Sequence, residues 1–394
     1  MTPKTHLKNL YIIDGLRTPI GTPFKSLKNF TAAQLASITI KEILRRSHMK
    51  RDLIGEVIIG NTVAAGTGQN LARQAAILSE LSSSVPAFTI NNVCGSGLQA
   101  VILAAQAIGC QEFECVIAGG AESATFCPYL AERKNKENID ETICIDSLIC
   151  DGLTCNITDM HMGLLAEHIA KEFHIGRDRQ DQFAYDSHIK ACLAQRENKF
   201  INEIVSIKIN GNEVFFEDER PRKNISLEKL KKLPCAFDAQ GTVTAGNASA
   251  PCDGAACVIL ASDKLVKKEN LVPKARILAY VSSAVEPKMA FASSISSVKA
   301  CLEMCSLTVE DIDLFEICES FAAQSILVRD QLKISNEKLN IFGGDIALGH
   351  PLGTAGIRIL VTLLHALIDQ KKKRGVASVC LGGGGAVTLV VETV

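Results

Sequence analysis

Residues 87–108 read AFTINNVCGSGLQAVILAAQAI. An apolar run over 85–90 ends at two asparagines, and an almost wholly apolar helical stretch begins at Ser96 and continues to Ile108. A buried strand that turns directly into a buried helix is the repeating unit of a layered α/β domain. Cys94 sits at the turn. Gly95 and Gly97 permit a tight bend and the close approach of another group to the backbone. The helix start beyond them offers unpaired N–H groups and the positive end of the helix dipole. Both favour a thiolate, which is the nucleophilic form of cysteine. A core cysteine in a glycine turn has the same local sequence, so this segment alone leaves the two readings open.

Working outward, the same alternation continues. Residues 10–14 predict a strand broken by Gly15 and Pro19, 32–47 a helix with basic residues at its end, 56–60 a strand, 70–78 a helix and 115–119 a short buried strand. The text changes after about Ala121. As far as about Asn247 it is polar and charge-rich, as in AERKNKENIDE and EDERPRKNISLEKLKK, which predicts an insert of loops and helices lying over the first domain. From Ser249 the alternation resumes, with strands at 255–261, 274–282 and 312–317 and helices at 293–305 and 356–369. A hairpin of 377–381 with 387–391 closes around a glycine run. TINNVCGSG and ASVCLGGGG each place a cysteine between a strand and a glycine turn, which suggests one α/β half built twice. A chain of 394 residues is too long for one ordinary core, in keeping with that.

Composition narrows the class. With 47% hydrophobic and 22% charged residues the chain reads as a soluble globular enzyme, and a net charge of −1 argues against nucleic acid as a partner. It has no Trp and 4 Tyr, too few for a base-stacking platform. None of the 15 cysteines forms a C-x-x-C pair, and His161 and His168 do not follow Cys150 and Cys155 at zinc-finger spacing, so no metal is expected. Scattered cysteines with apolar neighbours suit a reduced, cytoplasmic protein. No run of 18 apolar residues or cleavable leader is evident, so no membrane association is expected.

Two further segments carry chemistry. In NIFGGDIALGHPLGTAGIRIL, His350 stands between Gly349 and Pro351 where a loop meets an apolar helix, a rigid setting for a proton acceptor. In VCLGGGG, Cys380 precedes Gly382–Gly385, whose N–H groups could hold a developing oxyanion. Taken alone, each is also an ordinary turn histidine or hairpin loop.

Together these segments resemble the thiolase family. The resemblance runs from IIDGLRTPIG near the N-terminus to VCLGGGGAVTLVVE at the end. Between them lie NNVCGSGLQA, IAGGAES, HMGLLAEHIA, GTVTAGNAS, CESFAAQ and GGDIALGHPLGTAGIRI, in the order the family shows. It implies a duplicated five-layer α/β/α/β/α fold with an inserted loop domain. Residues 1–120 and 248–272 would form the N-terminal half, 121–247 the insert and 273–394 the C-terminal half. It implies an acyltransferase of fatty acid metabolism that performs reversible thioester Claisen condensation and thiolysis, joining two acetyl-CoA or cleaving a 3-ketoacyl-CoA.

In that scheme Cys94 is acylated, His350 activates it and Cys380 exchanges the α-proton. One oxyanion hole uses His350 and a water held at position 318; the other uses the N–H groups of Cys94 and Gly382. His161, Met162 and Phe321 border the acyl pocket together with Met289, Ser249 lies beside the pantetheine arm, and Arg220 and Arg222 lie near the CoA phosphates. No cofactor is needed beyond coenzyme A as substrate and product, and a homodimer or homotetramer is expected. The chain departs from the family at Cys318, where an Asn is usual, at Asp345, where a small uncharged residue is usual, and after Met289, where AFASS replaces a glycine-containing segment. A ketoacyl-carrier-protein synthase would share the fold but not the combination of HMG, GHP and a C-terminal C-x-G. Cys318 also raises the alternative of a degenerate acyl-CoA-binding protein with weak turnover.

Overall fold

The computed structural model describes residues 10–136, 139–211 and 213–394. The leader expectation for residues 1–9, and the part of the charged run at 137–138, lie outside them. Among the described residues nine strands make the main sheet, in chain order β1 (Leu10–Arg17), β2 (Glu56–Gly60), β3 (Ala87–Ile90), β4 (Cys115–Ser123), β5 (Asp253–Ser262), β6 (Ala275–Ala284), β7 (Leu314–Ile317), β8 (Arg374–Leu381) and β9 (Gly385–Thr393). The helices that shape the site are α1 (Ala32–Arg46), α2 (Leu71–Leu78), α3 (Ser96–Gly109), α4 (Met162–Glu172), α5 (Arg177–Arg196), α6 (Ser293–Met304), α7 (Ala322–Leu332) and α8 (Ala355–Asp369). The spatial strand order is β7-β8-β9-β6-β1-β5-β4-β2-β3.

The two halves follow one plan. In the first, β1 is antiparallel to β5, β5 is antiparallel to β4, and β4 is parallel to β2. In the second, β6 is antiparallel to β9, β9 to β8, and β8 is parallel to β7. The duplication is therefore real, but the two Cys–Gly turns are not its equivalent points. Cys94 follows β3, whereas Cys380 is the penultimate residue of β8, which occupies the place of β4. The half-sheets meet in a short seam where Tyr11 and Ile12 pair with Arg276 and Ala275.

Five layers result. Helices α1 and α2 cover one face of the first half, α3 and α8 share the centre, and α6 covers the far face of the second half. Burial on both faces explains the sequence of β5: Ala256, Val258 and Leu260 join the central cluster, while Ala255, Cys257, Ile259 and Ala261 face α1. The stretch 352–369 has the length and hydropathy to cross a membrane, although Arg358 and other polar residues interrupt its apolar run; it is 89% buried as the central helix.

Glycines read as stops are close-approach points instead. β1 passes through Gly15 to Arg17, because a Cβ there would press on Val361 and Leu364 of α8. β4 passes through Gly120 to Ser123, and a Cβ on Gly120 would lie 2.2 Å from the Gly353 carbonyl oxygen. The insert leaves after β4 and returns at β5. It carries a hairpin (Tyr129–Arg133 with Ile139–Asp146), α4 and α5. Its far end is tied to β1 by Arg17, which is fully buried, pairs with Glu203 at 2.6 Å and Asp218 at 2.7 Å, and stacks over Phe200.

Candidate active site

The turn that carries Cys94 is held in a conformation its sequence would not choose. Val93 has φ +50°, a left-handed value that costs a β-branched residue strain. Its neighbours hold it there. Asn91 Oδ1 accepts the Val93 N–H at 2.9 Å, and the Asn91 amide donates to the Thr62 carbonyl at 2.9 Å. Ser96 Oγ accepts the Asn92 N–H at 2.8 Å and donates to the Val93 carbonyl at 2.6 Å, to which the Thr62 hydroxyl also donates at 3.0 Å. Gly97 lets α8 approach, since a Cβ there would lie 2.7 Å from Ile357. Cys94 is thereby set one residue before the α3 cap, 9% exposed, in the wall of a cavity. The sequence reading missed Val93; the short polar run around it is the one signal that could have found it.

That cavity, of about 120 Å³, is also lined by His350, Cys380 and Gly382. His350 is 4% exposed and enters after Gly349, whose φ of +105° a residue with a side chain rarely adopts. Cys380 is the penultimate residue of β8, and Gly383 and Gly384 turn the chain at φ +82° and +94°. Burial pushes the Cys380 thiol well above its usual range. The facing Cys318 and Cys94 sulfurs add to this and a hydrogen bond from Ser320 works against it, so Cys380 is held as a thiol. The two cysteines and the histidine read from separate segments are thus brought into one space.

The acyl-pocket residues divide. His161, Met162, Ser249 and Phe321 line the cavity. Met289 does not; it packs against the hydrophobic cluster that contains Phe291 and Phe321. Aromatic contacts close the far end: His161 stacks on Phe237 at 5.0 Å between centroids, and Phe291 meets Phe321 edge-on at 5.1 Å. Arg220 and Arg222 lie outside the cavity. Arg222 borders a separate surface groove with Lys229, and its N–H donates to His188 Nδ1 at 3.2 Å.

Position 318 differs from expectation. Cys318 is fully buried and does not line the cavity. Its sulfur lies 3.7 Å from His350 Nδ1 and 3.6 Å from Ser320 Oγ, behind the imidazole, because β7 ends one residue earlier and points this side chain into the core. Ser320, which the sequence reading passed over, lines the cavity instead. Cys318, Asp345 and His350 also bring potential metal-ligating atoms within 4.8 Å of one another. The Arg358 guanidinium lies 2.8 Å from Asp345, a fixed positive charge beside any cation that would enter. Burial and the charge of Asp345 push the Cys318 thiol up to about 11, which keeps it protonated. The group is arranged as a hydrogen-bonded chain rather than as a set of ligands.

The chain matches the family description "Thiolase, N-terminal domain" over residues 10–264 and "Thiolase, C-terminal domain" over residues 271–393. It belongs to the thiolase family. It is 42% identical to an acetyl-CoA acetyltransferase of Cupriavidus necator, over 98% of this chain and 100% of that one. A human mitochondrial 3-ketoacyl-CoA thiolase superposes with a TM-score of 0.95 at 34% identity, covering 98% and 99% of the two chains. An acetyl-CoA acetyltransferase of Bacillus anthracis gives 0.94 at 36% identity over 98% and 99%. As a thiolase the protein is an acyltransferase that makes and breaks carbon–carbon bonds between thioester-linked acyl groups by Claisen condensation and thiolysis. The duplicated α/β frame agrees, and nothing favours the degenerate binding protein.

Proposed function

We propose that this thiolase interconverts two acetyl-CoA with acetoacetyl-CoA and CoA through an acyl-Cys94 intermediate. The observation that carries this is the convergence of Cys94, His350 and Cys380 on one small cavity. His350 takes the Cys94 proton, and the thiolate attacks the acetyl thioester. The oxyanion meets the N–H groups of the Cys94 and Gly382 backbone. The protonated Cys380 thiol gives its proton to the departing CoA sulfur. The Cys380 thiolate left behind then removes an α-proton from the second acetyl-CoA. The resulting carbanion attacks acetyl-Cys94, and the released Cys94 sulfur recovers its proton from His350.

A short acyl group is supported by the cavity itself. About 120 Å³ equals the liquid share of roughly four waters, and Met162, Phe291 and Phe321 are among its walls. The nucleotide end of CoA is proposed to lie toward the groove at Arg222 and Lys229. Burial, with the positive charges of Arg222 and Arg220, pushes the neighbouring His188 down to about 3, which marks a local gathering of cations. A homo-oligomer is proposed because β3 ends the sheet unpaired on one side, with Phe88, Ile77 and Leu78 exposed nearby. A cytoplasmic setting is supported by fifteen unpaired cysteines. Incubation with acetoacetyl-CoA followed by peptide mass spectrometry should find acetyl on the Cys94 peptide; label confined to another cysteine overturns the assignment.

A further inference from the structure

We propose that Asp345 is a positioning residue that holds His350 in the tautomer and orientation needed to deprotonate Cys94, so that the three side chains act as a triad. This rests on the reading of Cys94 as nucleophile. The His350 ring offers Nδ1 to Asp345 Oδ1 at 3.3 Å and to Cys318 at 3.7 Å. A carboxylate is a strong acceptor and a protonated thiol a poor one. Nδ1 therefore carries the hydrogen toward Asp345. Nε2 is the nitrogen left for the cavity that His350 shares with Cys94.

Asp345 is itself fixed. It is fully buried, its Oδ2 pairs with Arg358 at 2.8 Å, and the same oxygen accepts the Glu319 N–H at 2.9 Å. Burial works to raise this carboxyl, but Arg358 and His350 outweigh it and hold it ionised, well below the usual carboxylate range. Glu316, 3.6 Å from Arg358, is pushed up to about 8 by burial and is protonated at neutral pH, which leaves the Arg358 charge to Asp345.

The remaining titratable groups around the ring are Cys94, Cys318, Cys380 and Cys252, with Glu319 behind Asp345 and Arg220 behind Cys252. Burial works to lower His350. The Cys318 and Cys94 sulfurs and the hydrogen bond to Asp345 work the other way and raise it above the usual histidine range; with Cys318 held protonated, the full negative charge beside the ring is that of Asp345. When Cys94 gives its proton to Nε2, the ring becomes an imidazolium beside a carboxylate that stays ionised, and no proton leaves the ring for Asp345.

Asp345 stabilises the imidazolium that forms as Cys94 gives up its proton, so removing the carboxylate makes that transfer less favourable. Iodoacetamide alkylation of Cys94, read by peptide mass spectrometry across pH, tests this in the wild type, Asp345→Asn and Asp345→Ala. Both variants should shift the midpoint upward by about one pH unit, making alkylation about tenfold slower near neutrality and equal at high pH. Their kcat should fall about a hundredfold with little change in KM. An unshifted profile in folded variants overturns the proposal. Wild-type Cys94 that is not alkylated ahead of the exposed cysteines would instead overturn the nucleophile reading. Should both variants fail to fold, ¹⁵N-histidine NMR of the wild type decides: a His350 that lacks the Nδ1 hydrogen refutes the triad.

Discussion

Cys380 and Cys94 are the same residue type in one cavity, and their surroundings divide the work. Cys380 is 1% exposed and faces other sulfurs, so it remains a thiol through the neutral range. A serine hydroxyl is a far weaker acid than a thiol, so the anion that must take the α-proton is scarcely formed. Cys380→Ser should therefore still acquire acetyl at Cys94 but exchange the acetyl methyl protons with deuterium at least about a hundredfold more slowly, measured by NMR; unchanged exchange would remove Cys380 from the proton transfer. Cys318 makes the opposite case. From the sequence it stood in for a residue holding a catalytic water, yet it lies behind His350 and out of the cavity. Cys318→Ala should lower stability by roughly 1 kcal/mol, as for one lost buried heavy atom, and leave thiolysis within a few-fold of wild type. A loss of about a hundredfold, the size seen when an oxyanion donor is removed, would return Cys318 to the oxyanion hole.

Among the elements, β4 does more than fill the sheet. Its penultimate residue, Glu122, is 1% exposed and accepts four hydrogen bonds. Oε1 takes Asn61 Nδ2 at 2.8 Å and Val63 N–H at 3.3 Å, while Oε2 takes Thr62 N–H at 3.0 Å and Gly353 N–H at 2.8 Å. It thereby joins the loop after β2, which braces the Val93 turn through Thr62, to the loop that follows His350. Glu122→Gln cannot satisfy this arrangement in either orientation, because its NH₂ would face two donors. The variant should lose at least about 2 kcal/mol in urea unfolding and lose thiolysis activity with it; full stability would show that the four donors find other acceptors.

On the scale of the whole molecule, the central cluster draws Leu98 and Val101 from α3, Ile357 and Leu360 from α8, Val258 from the first half-sheet and Val379 and Leu389 from the second. Neither half can be exposed without stripping the other's inner face, although among the described residues the strands themselves meet at two residue pairs. Unfolding followed by far-UV circular dichroism and by loss of Cys94 acylation should therefore give coincident transitions; a stable intermediate retaining one half would contradict the shared core.

What the amino-acid order determined by itself was local and periodic. The strand at 56–60, the helices at 32–46 and 96–109 and the cysteine between strand and helix were all legible, since patterning and caps act within a few residues. Thr31, for example, closes a capping box with Gln34 at the start of α1. The motifs in series also pointed to the family and to Cys94, His350 and Cys380. The tertiary structure decided the rest. The first strand was read as broken at Gly15 and the strand from Cys115 as ending at Gly119, because a glycine's need for close approach depends on a partner some 230 or more residues away, such as Val361 for Gly15 or Gly353 for Gly120. Cys318, Ser320 and Asp345 could not be ranked for the same reason. Whether a side chain faces a cavity, an imidazole or the core is set by how β7, the His350 loop and α8 meet, and that contact exists only once the layers have packed.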